Sequence, residues 1–132
     1  MNHVAVYSLS KEGNEKASAN FRVKEFACAD GSDIVLLDAK LLFILQNCRD
    51  HFGKPIKIAS GYRTPAYNSK LGNASKTSYH MRGMAADIKI DGVDPKEVYG
   101  YLDSCLPNTG GMGLAKTYVH IDSRETKARW KY

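Results

Sequence analysis

Residues 78–90 read "SYHMRGMAADIKI", and the fold turns on how this stretch is read. In its second half, "AADIKI" (85–90), Ala86, Ile88 and Ile90 share one face while Asp87 and Lys89 share the other. That is the period of a half-buried strand. Just before it, Gly83 lets the chain bend sharply, and Ala85 and Ala86 leave room above the strand. His80 and Asp87 therefore fall on either side of a loop-to-strand corner. A carboxylate with apolar neighbours is costly to bury unless something pairs with it. Spacing alone allows a hydrogen-bonded His–Asp pair at this corner, or two groups converging on a third partner.

Outward from this corner, "TYVHID" (117–122) has the same period. Tyr118, His120 and Asp122 take one face, Val119 and Ile121 the other. "PIKIAS" (55–60) reads as a further strand. "DAKLLFILQNCRDHFG" (38–53) reads as a helix with Leu41, Leu42, Leu45 and Cys48 on one side, Asp38 as its cap and Gly53 as its stop. "DPKEVYGYLDSCL" (94–106) reads as a second helix, capped by Asp94 with Pro95 in first position and with Val98, Tyr101, Leu102 and Cys105 facing inward. "GYRTPAYNSKLGNASKT" (61–77) is expected as a loop with one helical turn after Pro65, and "PNTGGMG" as a turn. Residues 8–20 are polar and turn-rich, which suggests an N-terminal strand or arm and loop over 1–20 ahead of a domain over 21–132. Irregular alternation of helices and strands points to an α+β domain, a central antiparallel sheet flanked by helices.

A chain of 132 residues suits one core. Its net charge of +5 favours a polyanionic partner, such as nucleic acid, an anionic lipid surface or an acidic wall polymer, without choosing among them. No recognition motif for nucleic acid accompanies the charge. The three cysteines, Cys28, Cys48 and Cys105, include no CxxC pair and read as reduced, buried thiols. "LLFIL" (41–45) is too short to cross a bilayer. The N-terminus has no leader-like pattern. The expectation is therefore a monomer with no membrane partner, made in the cytoplasm and reaching any extracellular target after release by a holin or by lysis.

Of the four histidines, His3 and His51 invite structural readings, His51 as a partner of the last carbonyls of the first helix. His80 and His120 each have a carboxylate nearby in a strand context. A metal ion held by two imidazoles and one carboxylate would pair His80, Asp87 and His120 at once and keep a fourth position open, as catalytic Zn²⁺ sites do.

"SYHMRGMAAD" has the form S-x-H-x-x-G-x-A-x-D and resembles the metal-binding signature of peptidase family M15, the zinc D-Ala-D-Ala carboxypeptidases and endopeptidases that include many phage endolysins. "SGYRTPAYN" (60–68) and "GGMGLAKTYVHIDSR" (110–124), with "RW" at 129–130, resemble two further segments of that family in the same order. The likeness covers roughly residues 21–130. It implies a small hedgehog/DD-peptidase-like domain holding one Zn²⁺ per chain on His80, Asp87 and His120. Arg63 would bind a substrate carbonyl or carboxylate, Ser78 would help anchor the substrate, and the substrate would be a peptidoglycan peptide cut next to a D-amino acid.

One departure concerns proton transfer. Many family members carry an acid three positions before the last histidine, where this chain has Thr117. Asp122, two residues after His120 on the same strand face, is then either the base or a carboxylate that orients the histidine. Tyr62, Tyr67 and Tyr118 are candidates to line a peptide cleft, and Trp130 is expected to cover the core. The competing function is a non-catalytic wall-binding module of the same fold that keeps the metal.

Overall fold

The computed structural model describes residues 2–72 and 74–132; Met1 of the N-terminal arm and Asn73 of the 61–77 loop lie outside them. Strand β1 (Val4–Ser8) begins the fold, and the Ser8 hydroxyl caps the short helix α1 (Leu9–Glu12) by accepting from the Lys11 amide. Strands β2 (Lys16–Ser18) and β3 (Phe21–Arg22) pair antiparallel, and a 3-10 turn at Val23–Phe26 follows. The loop expected over 8–20 is thus corrected to a helix and a strand. Its polar side chains act as ties: the Ser8 hydroxyl and the Ser10 amide both donate to Asp33, each at 2.7 Å. Strand β4 (Ile34–Asp38) pairs antiparallel with β1.

Helix α2 (Ala39–Phe52) starts where the Asp38 carboxylate accepts from the Leu41 amide, and it stops at Gly53 in the left-handed conformation (φ 63°). It buries Leu41, Ile44, Leu45 and Cys48. Strand β5 (Lys57–Ser60) leads to helix α3 (Pro65–Ser69), the single helical turn expected after Pro65. A 3-10 turn at Tyr79–Arg82 ends at Gly83 (φ 71°), and strand β6 (Ala85–Lys89) follows. A side chain at Gly83 would overlap the Leu36 backbone, so this reversal requires glycine twice over. Helix α4 (Pro95–Cys105) is capped by Asp94 and buries Val98 and Leu102. Cys105, expected to be buried, is exposed.

Strands β7 (Gly111–Leu114), β8 (Val119–Asp122) and β9 (Ala128–Lys131) complete a five-stranded sheet in the order β5-β6-β8-β7-β9. Pairing is antiparallel except between β7 and β9. The sheet expected to be antiparallel therefore has one parallel edge. "PNTGGMG", read as a turn, instead supplies Gly111, Met112 and Gly113 to β7, where pairing with β8 and β9 holds them extended. Strands β4 and β9 have no counterpart among the elements expected from sequence.

The two faces of this sheet divide the labour. Ala86, Ile88, Val119, Ile121 and Met112 face α2 and α4 and are 0–1% exposed. The opposite face carries two rows that the strand register sets side by side. One runs Ser60, Asp87, His120, Gly113, Trp130, and the other Ala85, Asp122, Gly111, Ala128. Arg129 closes the turn before β7 by donating to Asp103 at 2.7 Å and to the backbone carbonyls of Leu106, Thr109 and Gly110. Among the described residues, no helix is long and apolar enough to cross a membrane.

Candidate metal centre

Asp87 and His120 are cross-strand neighbours on β6 and β8, and the 3-10 turn brings His80 in from above the sheet. Asp87 Oδ1 lies 3.1 Å from His120 Nδ1 and 3.5 Å from His80 Nε2. The two imidazoles meet edge to face, with ring centroids 5.2 Å apart. One ligand atom from each of the three residues falls within 4.8 Å of the others. The sequence had placed His80, Asp87 and His120 together, and the fold brings them together.

The far nitrogens of the two rings decide what the near ones can do. His80 Nδ1 is 2.8 Å from the Gly61 carbonyl oxygen, which can only accept, so Nδ1 carries the hydrogen and Nε2 offers its lone pair toward Asp87. His120 Nε2 is 2.8 Å from Asp122 Oδ2, so in the neutral imidazole Nδ1 is the open nitrogen, again facing Asp87. Two imidazole lone pairs and a carboxylate oxygen thus converge from fixed rings, the donor set and outer support of a divalent metal site. The residues present fit such an ion.

When the rings carry both hydrogens, burial alone would raise the Asp87 carboxyl, but the hydrogen bonds then donated by His120 Nδ1 and His80 Nε2 outweigh it and hold the group well below the usual carboxylate range; loss of those hydrogens frees the two lone pairs. Asp122 behaves likewise, its burial outweighed by hydrogen bonds from His120 and Arg124. Burial would lower His120, yet its bonds to Asp122 and Asp87 hold it above its ordinary value.

Asp122 is fully buried behind His120. Its two oxygens are engaged by His120, by the Gly111 amide at 3.0 Å, and by Arg124 Nε and Nη2 at 2.8 and 2.7 Å. Thr117 sits at the bend before β8 and borders a different cavity, beside Ile88 and Val119. Arg63 donates from Nε to the Ser60 hydroxyl at 3.1 Å and from Nη2 to Asp87 Oδ2 at 3.4 Å, so it flanks the cluster. Ser78 caps the 3-10 turn by accepting from the His80 amide at 3.2 Å, and it lines the same cleft.

That cleft has a volume of about 540 Å³ and exposes the His80–Asp87–His120 cluster on its floor. Tyr118 lines it, whereas Tyr62 and Tyr67 border a separate cavity of about 230 Å³. The expectation for Tyr62 is corrected. Gly61 directs its carbonyl at His80, and the Tyr62 amide bonds to the Phe26 carbonyl at 2.9 Å, which turns the intervening ring away. Trp130 is corrected too: it lines the cleft, its ring 5.2 Å from that of His120, instead of covering the core. Tyr79, Arg124 and Tyr132 also line the cleft and were not singled out from sequence. The alternation that puts Trp130 and Tyr132 on one side of β9 was the available signal.

A family model described as Peptidase M15 matches residues 19–122. The chain belongs to the peptidase M15 family. Among curated relatives, an Escherichia coli (strain K12) protein named peptidoglycan L,D-endopeptidase MepK is 34% identical over 76 residues, covering 53% of this chain and 41% of that protein. A Haemophilus influenzae protein named probable peptidoglycan L,D-endopeptidase MepK is 32% identical over 82 residues, covering 58% and 42%. The match thus spans about two fifths of the length of these relatives. No solved structure matches. The M15 match ends at Asp122, so Arg124 and Trp130 lie beyond it while still lining the cleft.

Proposed function

We propose that this M15 chain is a zinc-dependent endopeptidase acting on peptidoglycan stem peptides or cross-links, at a bond next to a D-amino acid. The observation that carries the reading is the convergence of His80 Nε2, Asp87 Oδ1 and His120 Nδ1 on the floor of an open cleft. These three atoms would hold the ion. Zinc bound there would supply a Lewis acid able to polarise a peptide carbonyl and to make water more acidic.

The chain's own groups do the rest. Arg63, held at the rim by Ser60 and Asp87, offers a guanidinium to a substrate carbonyl or carboxylate. Tyr118 and Trp130 form the wall beside His120. Asp122 fits the orienting role better than the base role. Its oxygens are already committed to His120, Arg124 and Gly111, and it has no exposed surface from which to take a proton. The L,D-endopeptidase name of the relatives makes an L–D bond the first one to assay.

The decisive experiment is digestion of purified peptidoglycan, with fragments identified by mass spectrometry, in the presence of added zinc or of chelator. Release of stem-peptide fragments that stops with chelator and resumes with zinc is expected; their masses name the bond. No fragments from several wall chemotypes would sink the enzyme reading. For Asp122→Asn, a fall in zinc affinity of about 10- to 100-fold is expected. An unchanged affinity with a lower kcat would instead make Asp122 the base.

A further inference from the structure

We infer that Arg124 is a positioning residue for the metal centre, a clamp that ties the strand carrying His120 to the turn carrying His80. The inference rests on the metal-site reading above.

Arg124 grips Asp122 with two parallel donors, Nε to Oδ1 at 2.8 Å and Nη2 to Oδ2 at 2.7 Å, and its backbone amide adds a bond to Oδ1 at 3.2 Å. Such a fork fixes both the position and the plane of the carboxylate. Oδ2 in turn receives the Nε2 hydrogen of His120 at 2.8 Å, so the plane that Arg124 sets also aims His120 Nδ1 at Asp87. On its other side, the guanidinium carbon lies 4.4 Å from the centre of the Tyr79 ring, the residue next to His80, and 5.3 Å from that of Trp130. Arg82 approaches the same Tyr79 ring at 4.9 Å. An arginine over an aromatic face is an attractive contact, and a partly desolvated one here, since the side chain is only 23% exposed.

The chain of contacts is therefore His120–Asp122–Arg124–Tyr79, leading to His80. β8 and the 3-10 turn lie far apart in sequence, and this is a side-chain bridge between the two histidine-bearing segments that bypasses Asp87. Gly111 belongs to the same device. A Cβ there would sit within 2.5 Å of Asp122 Oδ1 and would also overlap Arg124, so glycine on β7 is what makes room for the fork. The second glycine of "GGMG" and the arginine of "HIDSR" thus serve one purpose.

The test measures zinc affinity by competition with a chromophoric chelator, together with the visible spectrum of the cobalt-substituted protein, for the wild type and for Arg124→Met, Arg124→Lys, Tyr79→Leu and Asp122→Asn. Arg124→Met should weaken zinc binding about tenfold and alter the cobalt bands. Arg124→Lys should not restore affinity, because an ammonium cannot form the fork. The double variant Arg124→Met with Asp122→Asn should bind zinc no more weakly than Asp122→Asn alone, as expected of a residue that acts through another. Tyr79→Leu should weaken binding in the same direction by less.

Unchanged zinc affinity and cobalt spectrum in Arg124→Met, or additive losses in the double variant, would overturn the inference. So would a rise in KM alone, which would make Arg124 a substrate contact. Should Arg124→Met fail to fold, Tyr79→Leu and Arg124→Lys carry the same comparison. If the wild type itself binds no zinc, the metal-site reading fails, and that outcome is distinct from a wild type that binds as its variants do.

Discussion

The two faces of the central sheet share the same strands and register, yet they are built to opposite rules. On one face, Ala86, Ile88, Val119, Ile121 and Met112 interlock with the helices and leave at most 1% of their surface exposed. On the other, small residues make room for polar groups: His120 lies between Asp87 and Gly113, and Asp122 between Ala85 and Gly111. Apolar side chains that interlock fill a core, whereas on the site face hydrogen bonds hold His120 in one orientation, as a ligand histidine requires. The site face is costly in another way, because its buried charges need partners: Asp122 has His120 and Arg124, and Asp87 has His120, His80 and Arg63.

Adjacent residues of β8 give the sharpest way to break this comparison. His120→Ala should reduce peptide hydrolysis to background and abolish stoichiometric zinc binding, while the far-UV circular dichroism and cooperative unfolding persist. Ile121→Ala, one position along, should do the reverse: a loss of about 2–5 kcal/mol in urea unfolding, from lost transfer energy plus a cavity, with zinc affinity of the folded fraction kept. If the two variants shared one phenotype, the division between the faces would be wrong.

Gly111→Ala probes the boundary between the rules, since it adds one methyl group to a strand whose other face is core. The new Cβ must push the Asp122 carboxylate aside, at an expected cost of about 1–3 kcal/mol, with zinc binding weakened as well. Gly113→Ala first meets the ring atoms of Trp130, on the edge strand, and of Tyr132 just after it, side chains instead of a buried carboxylate. Its stability cost should be smaller, and its effect should appear in KM. Unfolding curves and chelator competition on both variants check the order.

The strand alternation in "AADIKI" and "TYVHID" carried most of what could be read from sequence. It separated Ile88 and Ile121 from Asp87 and His120, and with the ordered motifs it named the metal cluster. The capped helices were equally legible, because Asp38, Gly53 and Asp94 act within a few residues of their own position. What escaped depends on partners distant in sequence. β7 looked like a turn because its glycines have meaning only beside Asp122 and Trp130. Trp130 became a cleft wall through parallel pairing of β9 with β7, which no local pattern specifies. Tyr62 belongs with these, since its amide bonds to Phe26, 36 positions earlier and outside every motif.

The smallest effect concerns the apolar side, and here the cysteines separate it from the surface. Cys48 is buried in α2 beneath the sheet, and burial pushes its thiol up from 9.0 to about 12. At pH 8 a thiol with that value is ionised to about one part in ten thousand, and the thiolate is the form that reacts. Cys105 is exposed and Cys28 is 4% exposed. Iodoacetamide on the native protein at pH 8 should therefore modify Cys105 rapidly and spare Cys48, while all three cysteines should react after denaturation. The sign of the linked stability change follows from the raised value. The folded state holds the Cys48 proton more tightly than the unfolded chain does, so its contribution is complete below about pH 9 and is lost as pH rises toward 12. Cys48→Ala should flatten that part of the alkaline unfolding profile. Rapid native labelling of Cys48 would mean that the helices open from the apolar face far more readily than its packing implies.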